Sequence, residues 1–188
     1  MPSPSKRDLI VDAALKLFYR HGFNATGVDK IIARAGVSKK TLYSHFRTKD
    51  ELILATLRKR DELFRNKMMR ETERRAADPR QRLFAIFDFH SDWFHEEDFS
   101  GCMFINAAAE FADADNPSHM LCAEHKRLVA EYICQQAQLA GARDPEALAH
   151  ELNLLLEGAI VYAHVVGDKH SAVRAREMAR VFVERQLG

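Results

Sequence analysis

Residues 26–49 read TGVDKIIARAGVSKKTLYSHFRTK, which is the pattern of two short helices joined by a tight turn. Apolar side chains recur at helical spacing over residues 28–32, and Thr26 stands where it can cap the first turn of that helix. Gly36 predicts the end of the helix, because glycine readily adopts the left-handed conformation that closes one. The stretch therefore predicts a helix-turn-helix.

The second helix of this motif is expected to begin after Ser38, a good capping residue, and to run to about Phe46. Leu42 and Phe46 are four residues apart and face the core, so the polar side chains of the helix turn outward. Lys39 and Lys40 lie near its amino end and are predicted to reach base edges of DNA, where guanine is the favoured partner of lysine. Phosphate contacts are predicted for Thr26, Ser38, Thr41, Tyr43, His45 and Lys49.

An apolar stripe precedes the motif and predicts the third helix that such a unit needs for a core. This helix is expected to end near His21 and Gly22. Its presence favours a DNA-binding domain over a helical unit of another kind, since a helix-turn-helix pattern alone is not specific. The stripe consists of Leu9, Ile10, Ala13, Ala14, Leu17 and Phe18.

Residues 8–57 also resemble the amino-terminal domain of the TetR-type bacterial transcriptional regulators. The resemblance rests on LFYRHGFNATGV and on GVSKKTLYSHFRTKDEL, which carries a Gly-Val turn, a Thr-Leu-Tyr core, Phe46 and the Lys49 that opens a fourth helix. The later segment GCMFINAAAEF resembles one found in a subset of these regulators. The resemblance implies an all-helical homodimer whose variable carboxy-terminal domain binds a small molecule.

The chain has 188 residues, of which 47% are hydrophobic, so it can bury a sizeable core in one or two domains. We expect an all-α protein of about nine helices. A three-helix DNA-binding domain is predicted over residues 1–50, and a helical bundle for ligand binding and dimerisation over residues 51–188. A long helix from about residue 50 to 75 is expected to couple the two.

The charge of the chain is unevenly distributed. Residues 1–50 hold ten Lys and Arg against four Asp and Glu, a net charge of +6, whereas residues 51–188 hold 18 against 23, a net charge of −5. Basic charge on the part that carries the motif is the pattern expected of a phosphate-binding surface. The acidic remainder would discourage indiscriminate coating of DNA.

Two features bear on compartment. No apolar run approaches the ~20 residues needed to span a membrane, and the amino-terminal MPSPSKRD lacks the apolar segment of a signal peptide, so we expect a cytoplasmic protein with no membrane partner. Cys102, Cys122 and Cys134 are odd in number and widely spaced, which favours a reducing compartment. A redox role for one of them is the alternative to a small core hydrophobe.

Aromatic residues are concentrated in one stretch: seven of the twelve Phe and the only Trp fall between residues 84 and 111. Such a concentration predicts either a ring-rich core or a cavity lined by rings with a few placed polar groups. We place the effector pocket here, with a hydrogen-bonded core histidine as the alternative for His90. The predicted lining is Phe64, Met68, Phe87, His90, Phe94, Phe104, Asn106 and Glu110.

The last two predicted helices, from Pro145 and from Ala172, are apolar or small-residue-rich on more than one side. A helix that is apolar on two sides must be buried on two sides. They are therefore predicted to form a four-helix interface with a second copy across a twofold axis, with a buried intrachain helix as the alternative. The predicted interface residues are Leu154, Gly158, Tyr162, Val165, Met178 and Phe182.

Signals for an enzyme or a cofactor are poor. No glycine-rich phosphate loop or nucleophile elbow occurs, and Cys122 with His125 and nearby His119 is a weak zinc signal without a second pair. The patterns favour a ligand-responsive dimeric regulator on a palindromic double-stranded DNA operator, and the resemblance favours repression. A ligand-independent architectural DNA-binding dimer is the alternative, and a helical enzyme is a remote one.

Overall fold

A computed structural model describes residues 4–188, and within that range every element of regular secondary structure is a helix. The prediction of an all-α fold with about nine helices is confirmed for these residues. The helices are α1 (Lys6–His21), α2 (Val28–Ala35), α3 (Lys39–His45), α4 (Lys49–Arg75), α5 (Pro79–His95), α6 (Met103–Glu110), α7 (Pro117–Leu139), α8 (Pro145–Val161) and α9 (Ser171–Leu187), with a π-helix (Tyr162–Val166) between the last two.

Packing divides the described residues into two compact units. The first unit holds the described residues up to Leu63 together with Met103–His125, and the second holds Phe64–Cys102 together with Lys126–Gly188. Residues 103–125 therefore pack with the helix-turn-helix although they lie far along the chain, which the sequence did not foresee. The functional boundary near residue 50 stays a prediction.

The core of the first unit is built as the apolar pattern predicts. Ile10, Ala14 and Phe18 of α1 are buried, and Ile31 of α2 and Leu42 of α3 are fully buried with them. Ser5 is the N-cap of α1: its side chain accepts a hydrogen bond from the Asp8 amide, and the helix begins at the next residue, Lys6. These contacts form the three-helix unit that the sequence predicts.

The turn between α2 and α3 follows the prediction, whereas the start of α2 does not. Gly36 adopts φ +63° and closes α2, and the Ser38 side chain accepts from the Thr41 amide to begin α3. The N-cap of α2 is Gly27 rather than Thr26. Thr26 is completely buried and its hydroxyl donates to the Gly22 carbonyl at 2.7 Å, so the predicted capping role of Thr26 is wrong.

In the second unit, α9 packs against both α5 and α8. The two helices that open with proline, α5 and α8, are each capped by the preceding residue, Asp78 and Asp144. The buried faces of α8 and α9 are aliphatic or small, as at Leu152 of α8 and Ala179 of α9. Among the described helices, none combines the length and the hydropathy that a membrane crossing requires.

Candidate functional site

The outer face of α3 presents a row of polar side chains on a fixed base. Leu42 is fully buried and Phe46 nearly so, which pins the inner side of this seven-residue helix. The Arg7 guanidinium covers the Phe46 ring from 5.3 Å, which shields that ring from water. The predicted DNA-contacting side chains that are exposed as a result are Lys39, Lys40, Tyr43 and His45.

The amino end of α3 is ordered by short hydrogen bonds. The Ser38 hydroxyl accepts from the Thr41 amide at 3.1 Å and is paired with the Thr41 hydroxyl at 2.8 Å. Lys39 Nζ lies 3.4 Å from Asp29 Oδ1 of α2, and both side chains are mostly exposed. The helix amino terminus and two lysines therefore share one surface, which is suited to a polyanion.

Two of the residues predicted to contact phosphates, Lys49 and Thr26, lie outside α3 and its N-cap. Lys49 opens α4, and its Nζ lies 3.4 Å from the Asn24 carbonyl, so its ammonium is held beside the loop before α2. Thr26 lies in the same loop, but its buried hydroxyl is already bonded to Gly22. In this conformation Thr26 cannot offer its side chain to a phosphate, and its contribution is to shape the loop.

Cationic residues that the sequence analysis did not single out extend this surface. Desolvation, together with the charges of Lys30, Arg20 and Arg34, lowers the pKa of His21 at the end of α1. Lys30 and Arg34 are exposed and four residues apart on α2, so they lie on one face. Their four-residue spacing is the sequence pattern from which these two cations could have been predicted.

Aromatic rings of the second unit gather around His90. His90 is 2% exposed, and its Nδ1 lies 2.7 Å from the Ile86 carbonyl. Met68 and Phe87 are buried in the same unit. The ring centroids of Phe64, Phe89, Trp93 and Phe94 lie between 5.3 and 6.4 Å from that of His90.

The predicted pocket residues are divided between the two units. Phe64, Met68, Phe87, His90 and Phe94 belong to the second unit, where the ring contacts just described bring most of them together. The other three, Phe104, Asn106 and Glu110, belong to the first unit. There Phe104 stacks on His125 at 3.6 Å, and both Glu110 oxygens accept backbone amides.

Large apolar side chains are exposed along α8, the π-helix and α9. Leu154 is 72% exposed, Tyr162 58%, Val165 74% and Met178 55%. A groove of about 390 Å³ runs between α8 and α9, and Gly158 is one of the residues that line it. Phe182 is half-buried under the Arg185 guanidinium, 5.3 Å from its ring. Four of the six predicted interface residues thus line one groove: Leu154, Gly158, Tyr162 and Met178.

Two histidines and Cys134 are among the residues that the sequence offers for metal binding or a redox role. His125 Nδ1 lies 2.7 Å from Asp61 Oδ1, and His119 Nδ1 lies 2.7 Å from the Phe111 carbonyl. Over residues 4–188, His, Cys, Asp and Glu side chains form no group of three or more that could hold a metal ion. Burial raises the pKa of the Cys134 thiol, with nearby carboxylates adding to the effect.

An all-helical chain with a cationic helix-turn-helix defines a DNA-binding transcriptional regulator, and comparison with known proteins agrees. Residues 10–56 match the family described as bacterial regulatory proteins, tetR family. Residues 79–179 match the tetracyclin repressor-like C-terminal domain. The chain belongs to the TetR family of transcriptional regulators.

Three relatives define the similarity further. The HTH-type transcriptional activator FasR of Mycolicibacterium smegmatis is 40% identical over 106 residues, 56% of this chain and 47% of FasR, so the chain spans about half of that protein. The HTH-type transcriptional repressor ComR of Escherichia coli is 27% identical over 171 residues, covering 86% of this chain and 81% of ComR. A crystal structure of a TetR-family transcriptional regulator from Streptomyces coelicolor matches with a TM-score of 0.90 at 25% identity, covering 97% of this chain and 96% of that one. All three relatives are described as regulators of transcription.

Proposed function

We propose that this chain is a dimeric repressor that leaves a palindromic operator when a small hydrophobic or aromatic molecule binds its second unit. The observation that carries the proposal is the buried His90 within a group of aromatic rings, because such sites combine apolar walls with a single oriented polar group. Dimerisation and effector binding are typical of the family, which supports the same conclusion.

The dimer is supported by the apolar surface of α8, the π-helix and α9. Leu154, Val165 and Met178 each expose more than half of a large apolar side chain, and they lie along neighbouring helices. A contiguous apolar patch of this kind marks an interaction site in a water-soluble chain. A second copy is the natural occupant, since a twofold interface pairs one patch with the same patch on the partner.

The DNA contacts are proposed from the exposure of α3 and its surroundings. Lys39 and Lys40 would read bases, because they lie near the amino end of the recognition helix and project outward. Ser38, Thr41, Tyr43, His45 and Lys49 would hold phosphates. A dimer then engages two half-sites about one helical turn apart, which makes the operator palindromic.

Repression is favoured over activation by the extent of the similarity. The match to the repressor ComR extends over most of both chains, whereas the match to the activator FasR covers less than half of FasR. Release by an effector further requires that the effector prefer the state that cannot bind DNA. Each tenfold preference moves that equilibrium by about 1.4 kcal/mol.

The only Trp of the chain provides the direct experiment. Trp93 is 4% exposed, and its ring centroid lies 4.9 Å from that of Phe64. An aromatic compound that enters among these rings should therefore shift or quench Trp93 emission. The screen follows that emission and, in parallel, the release of a fluorescent operator selected from random duplexes.

A compound that changes Trp93 emission and releases the operator with the same midpoint supports the proposal. Binding without release contradicts the regulatory role of the site. A chain that binds its operator identically in the presence of every compound in a chemically broad set favours the ligand-independent architectural protein.

A further inference from the structure

Glu110, the last residue of α6, holds the loop that leads into the helix-turn-helix. Its Oε1 accepts the Phe23 amide at 2.8 Å, and its Oε2 accepts the Asn24 amide at 2.6 Å. All of these residues belong to the first unit. Two consecutive backbone amides thus share one carboxylate, an arrangement of charge-assisted bonds that is stronger than neutral hydrogen bonds.

The loop is shaped to admit this carboxylate. Gly22 adopts φ +81°, and a Cβ at this position would come within 2.8 Å of Glu110 Oε1. The following side chain, Phe23, is fully buried and stacks on Phe18 at 5.0 Å and against Phe111 at 5.7 Å. The buried Phe23 ring and the Glu110 carboxylate therefore both hold these backbone amides in place.

Contacts at the opposite end of α6 hold the helix that carries Glu110. Phe104 lies flat on His125 of α7, with ring centroids 3.6 Å apart and an interplanar angle of 12°. His125 in turn meets Asp61 of α4 at 2.7 Å. The amino end of α6 is thus held by α7 and, through His125, by α4, while its carboxyl end is bonded to the loop. The carboxylate therefore reaches the loop already oriented.

The loop itself contacts groups for which operator binding is proposed. The Gly22 carbonyl accepts the Thr26 hydroxyl at 2.7 Å, and the Asn24 carbonyl lies 3.4 Å from Lys49 Nζ. The next residue after Thr26, Gly27, is the N-cap of α2. A change in the backbone at Phe23 and Asn24 would therefore move both the amino end of α2 and the Lys49 ammonium.

We propose that Glu110 is a positioning residue for operator binding: its carboxylate presets the loop of residues 22–27 so that Lys49 and the amino terminus of α2 meet the operator backbone. Glu110 does not itself contact DNA. This inference rests on the DNA-binding class of the chain and is independent of any effector, although the sequence alone had predicted Glu110 as a pocket residue.

The proposal predicts a sign that plain electrostatics does not. Removing a negative charge from a DNA-binding unit reduces repulsion from the phosphates and should, by itself, strengthen binding. If Glu110 presets the loop, its loss instead lowers the population of the binding-competent conformation and weakens binding. The two effects oppose each other, so the direction of the change identifies the role.

The test compares Glu110→Gln and Glu110→Ala with the control Asp115→Asn, an exposed carboxylate just beyond α6 in the same unit. The probe is an operator selected from random duplexes with the wild-type chain, and affinity is measured by fluorescence anisotropy. Glu110→Gln should weaken operator binding about tenfold, because hydrogen bonds to a charged acceptor are lost. Glu110→Ala should weaken it further, and Asp115→Asn should leave it equal or slightly tighter.

Hydrogen exchange and thermal unfolding separate positioning from general stability. In the folded Glu110→Gln variant, the Phe23 and Asn24 amides should exchange faster while α1 and α3 amides keep their wild-type rates. A variant that binds the operator as tightly as wild type overturns the proposal. So does a variant whose weaker binding is fully accounted for by its unfolded fraction.

Discussion

The recognition helix α3 and the surface of α8 and α9 both expose large side chains, but of opposite kinds. On α3 the exposed groups are Lys39, Lys40, Tyr43 and His45, over a base made by two buried apolar residues. On α8, the π-helix and α9 the exposed groups are Leu154, Val161, Val165, Met178 and Val181. We propose that the first surface binds a hydrated polyanion and that the second loses its water when it is buried against a partner.

This difference shows how exposure should be interpreted in a helical chain. An exposed lysine costs the free chain little, so its position carries information only through the geometry of the helix beneath it. An exposed stripe of Leu, Val and Met is unusual in a monomer and indicates a partner by its composition alone.

A charge at Gly158 should break the apolar surface. A Cβ at Gly158 meets no atom within 4 Å, so Gly158→Glu leaves the single chain undisturbed. In a dimer the same carboxylate is buried without a partner, which costs several kcal/mol, on the order of 3–5. Sedimentation equilibrium should show dissociation, and operator affinity should fall with it.

Leu139→Glu is the matched control for that change, because Leu139 is 65% exposed at the end of α7 and outside the α8 and α9 surface. It should remain dimeric. A Gly158→Glu protein that stays dimeric at micromolar concentration would show that this face is not the dimer interface.

Two lysines of the DNA surface should differ in kind. Lys40→Ala should cost about 1–3 kcal/mol at one base position and relax the sequence preference there. Lys49→Ala should weaken all sequences similarly and reduce the slope of log affinity against log salt by about one unit. A set of operators with single base substitutions, measured at three salt concentrations, distinguishes these effects. An unchanged sequence preference in Lys40→Ala is the result that refutes base reading.

The variant His90→Leu should show whether His90 lines an effector pocket or is only a hydrogen-bonded core residue. As a pocket residue, His90 can be replaced with little effect on operator binding in the absence of effector, while the dose response to any compound found with Trp93 fluorescence changes. As a hydrogen-bonded core residue only, its replacement should alter stability by about 1–3 kcal/mol and leave the dose response intact. Melting temperature and operator release, measured on the same variant, decide between them.

The smallest effect is expected at Asp29. Its pair with Lys39 spans 3.4 Å between two side chains that are 85% and 64% exposed, and exposed pairs of this kind contribute about 0–1 kcal/mol. Asp29→Asn should leave the melting temperature nearly unchanged and tighten operator binding slightly, because the charge facing DNA becomes more positive. A large loss of stability would show that this surface does more than meet DNA.

Much of this architecture follows from local patterns. Apolar spacing and capping residues predict α1, the Gly36 turn and the start of α3 at Ser38, because these depend on neighbours within one helical turn. Thr26 shows the limit of such reasoning. Its hydroxyl can cap a helix or bond the carbonyl four residues back, and the tertiary burial of the loop selects the second.

The position of Glu110 could not be predicted for a related reason. Its partners, Phe23 and Asn24, lie 87 and 86 residues away, and backbone amides leave no trace in side-chain identity. The only sequence signals were a glycine at residue 22 and a carboxylate at the end of an apolar helix. The π-helix at Tyr162–Val166 could not be predicted from the sequence either, because its residues are compatible with an ordinary α-helix.

The central claim is that two copies of this chain, joined through the apolar surface of α8 and α9, present two cationic α3 helices to one operator. Native mass spectrometry of the wild-type chain with a single operator selected from random duplexes tests it directly. The account predicts complexes with two chains per duplex and no stable complex with one, and Gly158→Glu should abolish them. Tight sequence-specific complexes that contain a single chain would contradict it.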